Sequence, residues 1–169
     1  ELQIKFLNRL RAALRPGGQC VVAIENRLGE KYLRGAADDH TGLPDISIFD
    51  ATVAAELHRD ATQTELRAFT YSLTEYQVLF AAAGFTQCET FAAFPDYKLP
   101  SVLLQIDDPT EVNRLAAAGE LPPEHDGTNG KALRNQEEIV SDYRRLGHLG
   151  SAHLHAPSYI FRLACPPPC

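Results

Sequence analysis

Three polar side chains that could take part in chemistry follow an apolar run near the start of the chain. Cys20 to Ile24 is unbroken apolar sequence, and Glu25, Asn26 and Arg27 come directly after it. In open α/β sheets, ligands bind beyond the carboxyl ends of the strands. Glu25 could bind or deprotonate a hydroxyl or an amine, while Asn26 and Arg27 could orient a polar acceptor. The alternative is that all three only solvate a strand end.

The sharpest local cluster is Asp38-Asp39-His40. Imidazole changes its charge near neutral pH, so His40 could act as a general base oriented by a neighbouring aspartate. A metal site is a weaker interpretation, because three adjacent residues cannot all face one ion from regular structure. A turn in which Asp38 or Asp39 caps the backbone is the structural alternative.

Two further segments could contact a substrate. Lys31 and Tyr32 would offer a cation and an aromatic face to a sugar or an anionic ligand. Asp96-Tyr97-Lys98 lies between two prolines and predicts a rigid charged turn, either at the rim of a site or at a subunit contact. The predicted site therefore has Glu25 and His40 as catalytic residues and, as substrate-binding residues, Asn26, Arg27, Lys31, Tyr32, Asp39, Asp96, Tyr97 and Lys98.

A helix and a strand must position the first of these residues. Apolar residues recur with helical spacing over 6–14, and Pro16-Gly17-Gly18 ends that helix. The continuous apolar run 20–24 predicts a parallel strand that is covered on both faces. A helix, a Pro-Gly-Gly stop and a buried strand, in that order, are typical of the late part of a doubly wound α/β domain.

The remaining chain alternates helical and strand patterns. Ser72 and Glu75 form a capping-box signature ahead of a helical face, and residues 27–70 are rich in loops and could hold short helices. The patterns predict one domain over 1–164 and a disordered tail at 165–169. The predicted helices cover 73–83, 109–118 and 135–146, the last closed by Gly147, and the predicted strands cover 88–94, 101–106 and 158–164.

Composition narrows the function classes. The 169 residues are 44% hydrophobic and 22% charged, which is ordinary for a globular domain. A net charge of −6 argues against nucleic acid as the main partner. The sequence has no apolar run of membrane-span length, no signal peptide, no zinc spacing and no disulfide framework, which predicts a cytoplasmic protein. The chain starts at Glu1 and contains no Met, so we expect a truncated chain.

Several motifs carry a family resemblance. The segment Ala12–Gly18 ahead of a Val-Val strand resembles the sequence before the fifth strand of class I S-adenosylmethionine-dependent methyltransferases. The loop Glu25–Ala36, the turn Asp38–Gly42 and the segment Phe94–Pro100 are similar to signatures of a bacterial subgroup. That subgroup is often found with cell-surface polysaccharide genes. Ala156–Phe161 resembles its closing strand, so the resemblance covers most of residues 5–164.

The resemblance implies methyl transfer from S-adenosylmethionine to a small-molecule or saccharide acceptor, such as a cell-surface polysaccharide precursor. The family binds this cofactor at a Gly-rich turn after its first strand and at an acidic residue ending its second. Neither motif is present in this sequence. We therefore expect a partial Rossmann-like, doubly wound sheet that forms the C-terminal, substrate-side half of a methyltransferase. Alone, this half should bind the cofactor weakly or not at all and be inactive.

Two other functions stay open at this point. The chain could be a non-catalytic α/β module that contacts a partner protein through its loops at 27–50 and 119–131. A small metal-dependent hydrolase using Asp38, Asp39 and His40 is the less favoured alternative. A partial sheet should expose an edge and an apolar surface, which predicts self-association.

Overall fold

The computed structural model describes residues 2–123 and 135–165. In these ranges the protein is a mixed α/β structure with six α-helices and a four-stranded sheet. The helices are α1 (Leu2–Ala13), α2 (Glu30–Leu33), α3 (Ala51–Thr62), α4 (Leu73–Ala82), α5 (Thr110–Ala118) and α6 (Gln136–His148). The strands are β1 (Gln19–Glu25), β2 (Gln87–Phe94), β3 (Val102–Gln105) and β4 (Ser158–Ala164), and a 3₁₀-helix covers Ala152–His155.

The helix boundaries follow local sequence signals. Gly17, with a φ of +72°, turns the chain between α1 and β1. At the start of α4, the Ser72 hydroxyl accepts from the Glu75 N–H, and the Glu75 carboxylate accepts from the Ser72 N–H. This confirms the predicted capping box. An equivalent reciprocal pair opens α6, where Asn135 and Glu138 cap the first turn.

The order of strands in the sheet is β1-β4-β2-β3, and each neighbouring pair is antiparallel. Because β1 and β2 both run antiparallel to β4, they run in the same direction and end at the same edge of the sheet. Glu25 and Ala93 lie on either side of Ser158 in this register. The loops after β1 and β2 therefore meet.

The prediction that β1 is a parallel strand covered on both faces is wrong. β1 pairs antiparallel with β4, and its residues alternate between exposed and partly buried positions. Val22 and Ile24 pack against the core, whereas Val21 is 65% exposed on the opposite face. The apolar run is continuous because its outward residues are also apolar, and the residues alone did not distinguish this from burial on both faces.

Aromatic rings fill the core beside the sheet. The Phe161 ring of β4 lies 4.8 Å from that of Phe80 and 5.5 Å from that of Tyr76, both on α4. Phe94 of β2 meets Tyr143 of α6 edge-on at 5.6 Å. Edge-on and tilted arrangements of this kind are favoured by the ring quadrupoles. A smaller apolar cluster lies outside this core, around α3.

The helix α6 does not end at Gly147 as predicted but continues to His148. The glycine serves packing instead, because a Cβ there would lie 2.4 Å from the Ala117 backbone nitrogen and 2.6 Å from the Asn113 carbonyl oxygen. The absence of a side chain therefore lets α5 and α6 approach closely. Sequence reasoning interpreted this glycine as a stop because helices commonly end on one.

Some predicted segments fall partly outside the described residues. Of the predicted loop at 119–131, residues 124–131 lie outside them, and of the predicted tail, residues 166–169 do. The Cys165 N–H donates to the Gly18 carbonyl at 3.1 Å. Across the part of the chain that is described, none of the helices has the length and apolar character needed to cross a bilayer.

Candidate functional site

The site lies where β1 and β2 end together. Glu25 is the last residue of β1, and the loop after β2 carries Lys98. The Lys98 ammonium lies 3.4 Å from the Glu25 carboxylate, whose side chain is only 7% exposed. Parallel direction and matched register bring these two residues into contact although they are 73 positions apart.

His40 contacts the same carboxylate from a third segment of the chain. Its Nε2 lies 3.6 Å from Oε2 of Glu25, while Oε1 faces Lys98. The imidazole is 45% exposed and so is open to solvent, unlike the carboxylate beneath it. The buried Glu25 carboxylate therefore contacts two exposed groups, the His40 imidazole and the Lys98 ammonium.

Asp38 shapes the turn that presents His40. Its Oδ1 accepts from the His40 N–H at 3.0 Å and from the Thr41 N–H at 2.8 Å, and its Oδ2 accepts from the Ser47 hydroxyl at 2.8 Å. Burial by itself raises the pKa of Asp38, but these hydrogen bonds outweigh it and hold the pKa below its usual value. Asp38 therefore caps the backbone, as the structural alternative proposed.

The loop after β2 forms the rim of the site, where burial and nearby charges shift the pKa values of Tyr97 and Lys98. Burial, and then the Glu25 carboxylate, raise the pKa of Tyr97, which keeps its phenol protonated. Partial burial lowers the pKa of Lys98, but the negative groups around it, Glu25 first, raise it above its ordinary value. The Lys98 ammonium also lies 5.3 Å from the centre of the Tyr97 ring. Asp96 accepts from the Lys98 N–H at 3.1 Å and so shapes this loop.

Tyr76 contacts the backbone of Glu25 from the core and was not among the predicted site residues. Its hydroxyl donates to the Glu25 carbonyl at 3.1 Å and accepts from the Tyr71 N–H at 3.1 Å. Burial is the main reason that the pKa of this tyrosine is strongly raised. The helical spacing marked Tyr76 as a core residue of α4, but no local signal pointed to a partner 51 residues away.

Lys31, Tyr32 and Asp39 form a second polar group next to the site. The Lys31 ammonium lies 2.9 Å from Asp39 Oδ2, and the Tyr32 hydroxyl donates to the same oxygen at 3.2 Å. Tyr32 is 1% exposed and the Lys31 side chain 8%, whereas that of Asp39 is 36% exposed. Among these three, Asp39 is the side chain that solvent and a ligand can reach most readily.

Asn26 lies wholly in the interior, with 0% exposure. Its amide nitrogen lies 2.9 Å from the carbonyls of Leu154 and Ala156 and 3.1 Å from the Tyr159 hydroxyl. Its side-chain oxygen accepts from the Leu28 N–H at 3.0 Å. Asn26 thus joins the end of β1 to the 3₁₀-helix, and its predicted contact with an acceptor stays a prediction.

Arg27 is also used within the protein. Its Nε donates to the Ser47 carbonyl at 2.9 Å, its Nη1 lies 3.1 Å from the Glu75 carboxylate, and its Nη2 donates to the Phe49 carbonyl. Its side chain is 13% exposed. Arg27 therefore fixes the loop before α3 against the start of α4, and its predicted role in orienting an acceptor stays a prediction.

The arrangement can support acid–base chemistry at an exposed imidazole. Within 2–123 and 135–165, no three His, Cys, Asp or Glu side chains are grouped in a way that could hold a metal ion. Comparison of the chain with known protein families, with curated proteins and with solved structures finds no match.

Proposed function

We propose that this chain forms the acceptor-side wall of an S-adenosylmethionine-dependent methyltransferase, built on the late strands of a Rossmann-like sheet. The observation that carries the proposal is the contact of one buried carboxylate, Glu25, with both His40 and Lys98. This contact occurs beyond the carboxyl end of a strand, where α/β folds place their ligands. The motif resemblance of the loops that supply these residues supports methyl transfer as the reaction.

In this proposal His40 is the general base. The Glu25 carboxylate faces Nε2, which favours the tautomer with hydrogen on that nitrogen and leaves the lone pair of Nδ1 free. An acceptor hydroxyl would transfer its proton to Nδ1, and Glu25 would stabilise the imidazolium that results. Exposure of the imidazole allows an acceptor to reach it, which the buried carboxylate alone does not.

Two residues at the rim favour a saccharide as the acceptor. The exposed Lys98 ammonium would attract a phosphate or carboxylate on the sugar, and the ring of Tyr97 offers it an apolar face. A sugar precursor of a cell-surface polysaccharide has both features. We place the reaction in the cytoplasm, which the free thiols of Cys20, Cys88 and Cys165 support.

The cofactor site of the family does not fit the residues that are described. After β1, the only glycine before α2 is Gly29, where a Cβ would lie 3.0 Å from the Asn26 carbonyl oxygen. The turns after β2 and β3 contain no glycine. No strand of the described ranges therefore leads into a Gly-rich turn. In the proposed function, the described residues bind the acceptor and remove its proton.

The proposal is tested with the protein expressed from its whole coding sequence. We expect transfer of a labelled methyl group from S-adenosylmethionine to anionic sugar precursors. His40→Ala and Glu25→Gln should each lower kcat by about a hundredfold or more. His148→Ala and Glu137→Gln are matched controls, because both residues are exposed and lie on α6, and they should leave kcat unchanged.

Two results would contradict the proposal in different ways. Absence of methyl transfer to any sugar, amine or hydroxyl acceptor in a screened panel would refute methyl transfer as the reaction. Methyl transfer with ordinary kcat in both His40→Ala and Glu25→Gln would keep the reaction but remove the assigned base. Calorimetric titration of the chain itself should show no micromolar binding of S-adenosylmethionine.

A further inference from the structure

The loop that carries His40 presents a second polar side chain beside it. An antiparallel bridge between its first and last residues closes residues 37–44 into a loop. The Gly42 N–H donates to the Asp38 carbonyl at 2.8 Å, which fixes the tip of this loop. Asp39 and His40 lie at the tip, and the Cα atoms of neighbouring residues are only about 3.8 Å apart. A ligand that contacts the imidazole therefore also comes within reach of Asp39.

The Asp39 carboxylate is held through one of its two oxygens. Oδ2 lies 2.9 Å from the Lys31 ammonium and accepts from the Tyr32 hydroxyl at 3.2 Å. Both of these side chains are buried, whereas that of Asp39 is exposed to solvent. Within 2–123 and 135–165, no group donates to Oδ1. Two buried donors thus orient the carboxylate and leave its other oxygen available to a ligand.

Both side chains at the tip are anchored to the same end of β1. Tyr32 packs against the turn that follows this strand, since a Cβ on Gly29 would lie 3.6 Å from the tyrosine ring. Glu25 is the last residue of β1, and its carboxylate lies 3.6 Å from the His40 imidazole. These two anchors place Asp39 beside the proposed general base, on the side of the site that the acceptor would approach.

The charges around Asp39 favour an uncharged donor as its ligand. The Lys31 ammonium already supplies a positive charge at Oδ2, and it is held over the Tyr32 ring, 4.8 Å from the ring centre. A second cation on the same carboxylate would be repelled by this ammonium. A hydroxyl group meets no such repulsion, and its hydrogen bond to a carboxylate is about twice as strong as one between neutral groups.

We propose that Oδ1 of Asp39 binds a hydroxyl group of the acceptor other than the one that is methylated. This inference rests on the proposed function and deepens it, because it names what the acceptor must carry. Lys98 would attract the anionic group, His40 would take the proton, and Asp39 would fix the orientation of the sugar ring between them. Asp39 would therefore select a polyhydroxylated acceptor over a simple phosphorylated alcohol.

The test measures binding of sugar phosphates to the protein expressed from its whole coding sequence. The probes are the anomeric phosphates of glucose, galactose and mannose, followed by the monodeoxy analogues of the one that binds most tightly. Isothermal titration calorimetry without S-adenosylmethionine gives each Kd. The measurement therefore does not depend on methyl transfer.

We expect the loss of one particular hydroxyl to weaken binding to the wild-type protein about tenfold or more. In Asp39→Asn, Lys31 and Tyr32 would hold the amide oxygen, so that the NH₂ group replaces Oδ1. The same deoxy analogue should then bind only about threefold more weakly than its parent, because a bond between neutral groups is about half as strong.

Asp45→Asn is the matched control. Asp45 is also exposed, directly follows the same loop and loses the same charge, and asparagine fits its positive φ. This variant should keep the full tenfold difference between the parent sugar and its deoxy analogue. Circular dichroism should show that both variants fold.

Four outcomes would overturn the proposal. The first is absence of binding of all three sugar phosphates at millimolar concentration. The second, which needs no variant, is that no monodeoxy analogue binds the wild-type protein more than about threefold more weakly than its parent. The third is an Asp39→Asn variant that binds the parent and every analogue more weakly by the same factor, which would leave Asp39 a structural role only. The fourth is binding that becomes more than about tenfold tighter when an amine replaces the hydroxyl, which would assign Oδ1 to a cation.

The methylation assay separates this inference from the proposed function. Recognition of a hydroxyl that depends on Asp39, in a protein that transfers no methyl group to any acceptor, would refute the reaction and keep the binding site. Methyl transfer with an unchanged preference among deoxy analogues in Asp39→Asn would keep the reaction and refute the role of Asp39.

Discussion

The clearest test of how the site is held concerns Asn26. Replacement by aspartate keeps the shape of the side chain and its acceptor oxygen toward Leu28, but it converts the amide donor into a second acceptor. That oxygen would face the carbonyls of Leu154 and Ala156, each 2.9 Å from the present nitrogen. Asn26→Asp therefore changes the hydrogen bonds of this side chain while leaving its size and packing nearly the same.

The expected cost follows from the contacts. The amide nitrogen has two hydrogens shared among Leu154, Ala156 and the Tyr159 hydroxyl, so two hydrogen bonds are lost at about 1 kcal/mol each. The buried carbonyls left without donors add about 1–3 kcal/mol. Because Asn26 is 0% exposed, no water can replace the missing donor without a change of structure. We expect a loss of about 3–5 kcal/mol in the free energy of unfolding at pH 7, a size typical of an uncompensated buried charge.

The same argument fixes the sign of the pH dependence. A buried aspartate that faces carbonyl oxygens is more stable protonated, so the pKa of Asp in the folded variant lies above its value in the unfolded chain. The cost is then smallest below about pH 4, where both states are protonated, and grows as the pH rises. Protonated aspartic acid also restores one donor.

Urea unfolding followed by circular dichroism at pH 7 and at pH 4.5 measures both effects. Asn8→Asp on the exposed side of α1 is the control, and it should change stability by less than about 0.5 kcal/mol. A cost below about 1 kcal/mol for Asn26→Asp at pH 7 would refute the reasoning. So would an equal cost at both pH values.

Three other substitutions test the surrounding structure. Asp38→Ala should lower the free energy of unfolding by about 2–4 kcal/mol in urea at pH 7. Because folding lowers the pKa of Asp38, the stability difference between this variant and wild type should shrink as the pH falls below about 4. A stability difference that does not change with pH would contradict the role of the charge. Gly147→Ala should lower Tm through a cost of at least about 1–3 kcal/mol, since the new Cβ would meet backbone atoms of α5, and an unchanged Tm would count against that contact. Tyr76→Phe should cost about 1–2 kcal/mol in the same urea assay by removing the hydroxyl that links Tyr71 to the Glu25 carbonyl, and a neutral result would show that this hydroxyl is dispensable.

Local signals predicted most of the elements, but the twelve-residue helix α3 lies within 27–70, which the sequence analysis interpreted as rich in loops. The capping box at Ser72 and Glu75, the Pro-Gly-Gly turn and the runs of apolar residues act within a few residues of each other, so they can be interpreted without the fold. The burial of β1 could not be predicted in the same way. Whether Val21 is covered depends on what packs against its face of the sheet, and no signal within residues 20–24 encodes that.

In the site, too, the local sequence predicted single residues, whereas the contacts between them depend on the fold. The order of residues predicted Glu25 at a strand end and His40 in a following turn, but their contact depends on how the loop folds back. Lys98 joins them because β1 and β2 end at one edge, a consequence of strand order that no local pattern encodes. Asn26 looked like a ligand-binding residue because the carbonyls that it contacts, those of Leu154 and Ala156, lie far along the chain.

The strand order also determines when the protein can fold during synthesis. β4 is the last of the four described strands in chain order, yet it supplies the only described strand partner of β1 and one of the two described partners of β2. Until Ser158–Ala164 emerges, β1 lacks this partner, and the β2–β3 hairpin is the one described strand pair that can form. Such long-range pairing slows folding and prolongs exposure of apolar strands. A nascent chain stalled before Ser158 should therefore remain sensitive to protease and bound to chaperones.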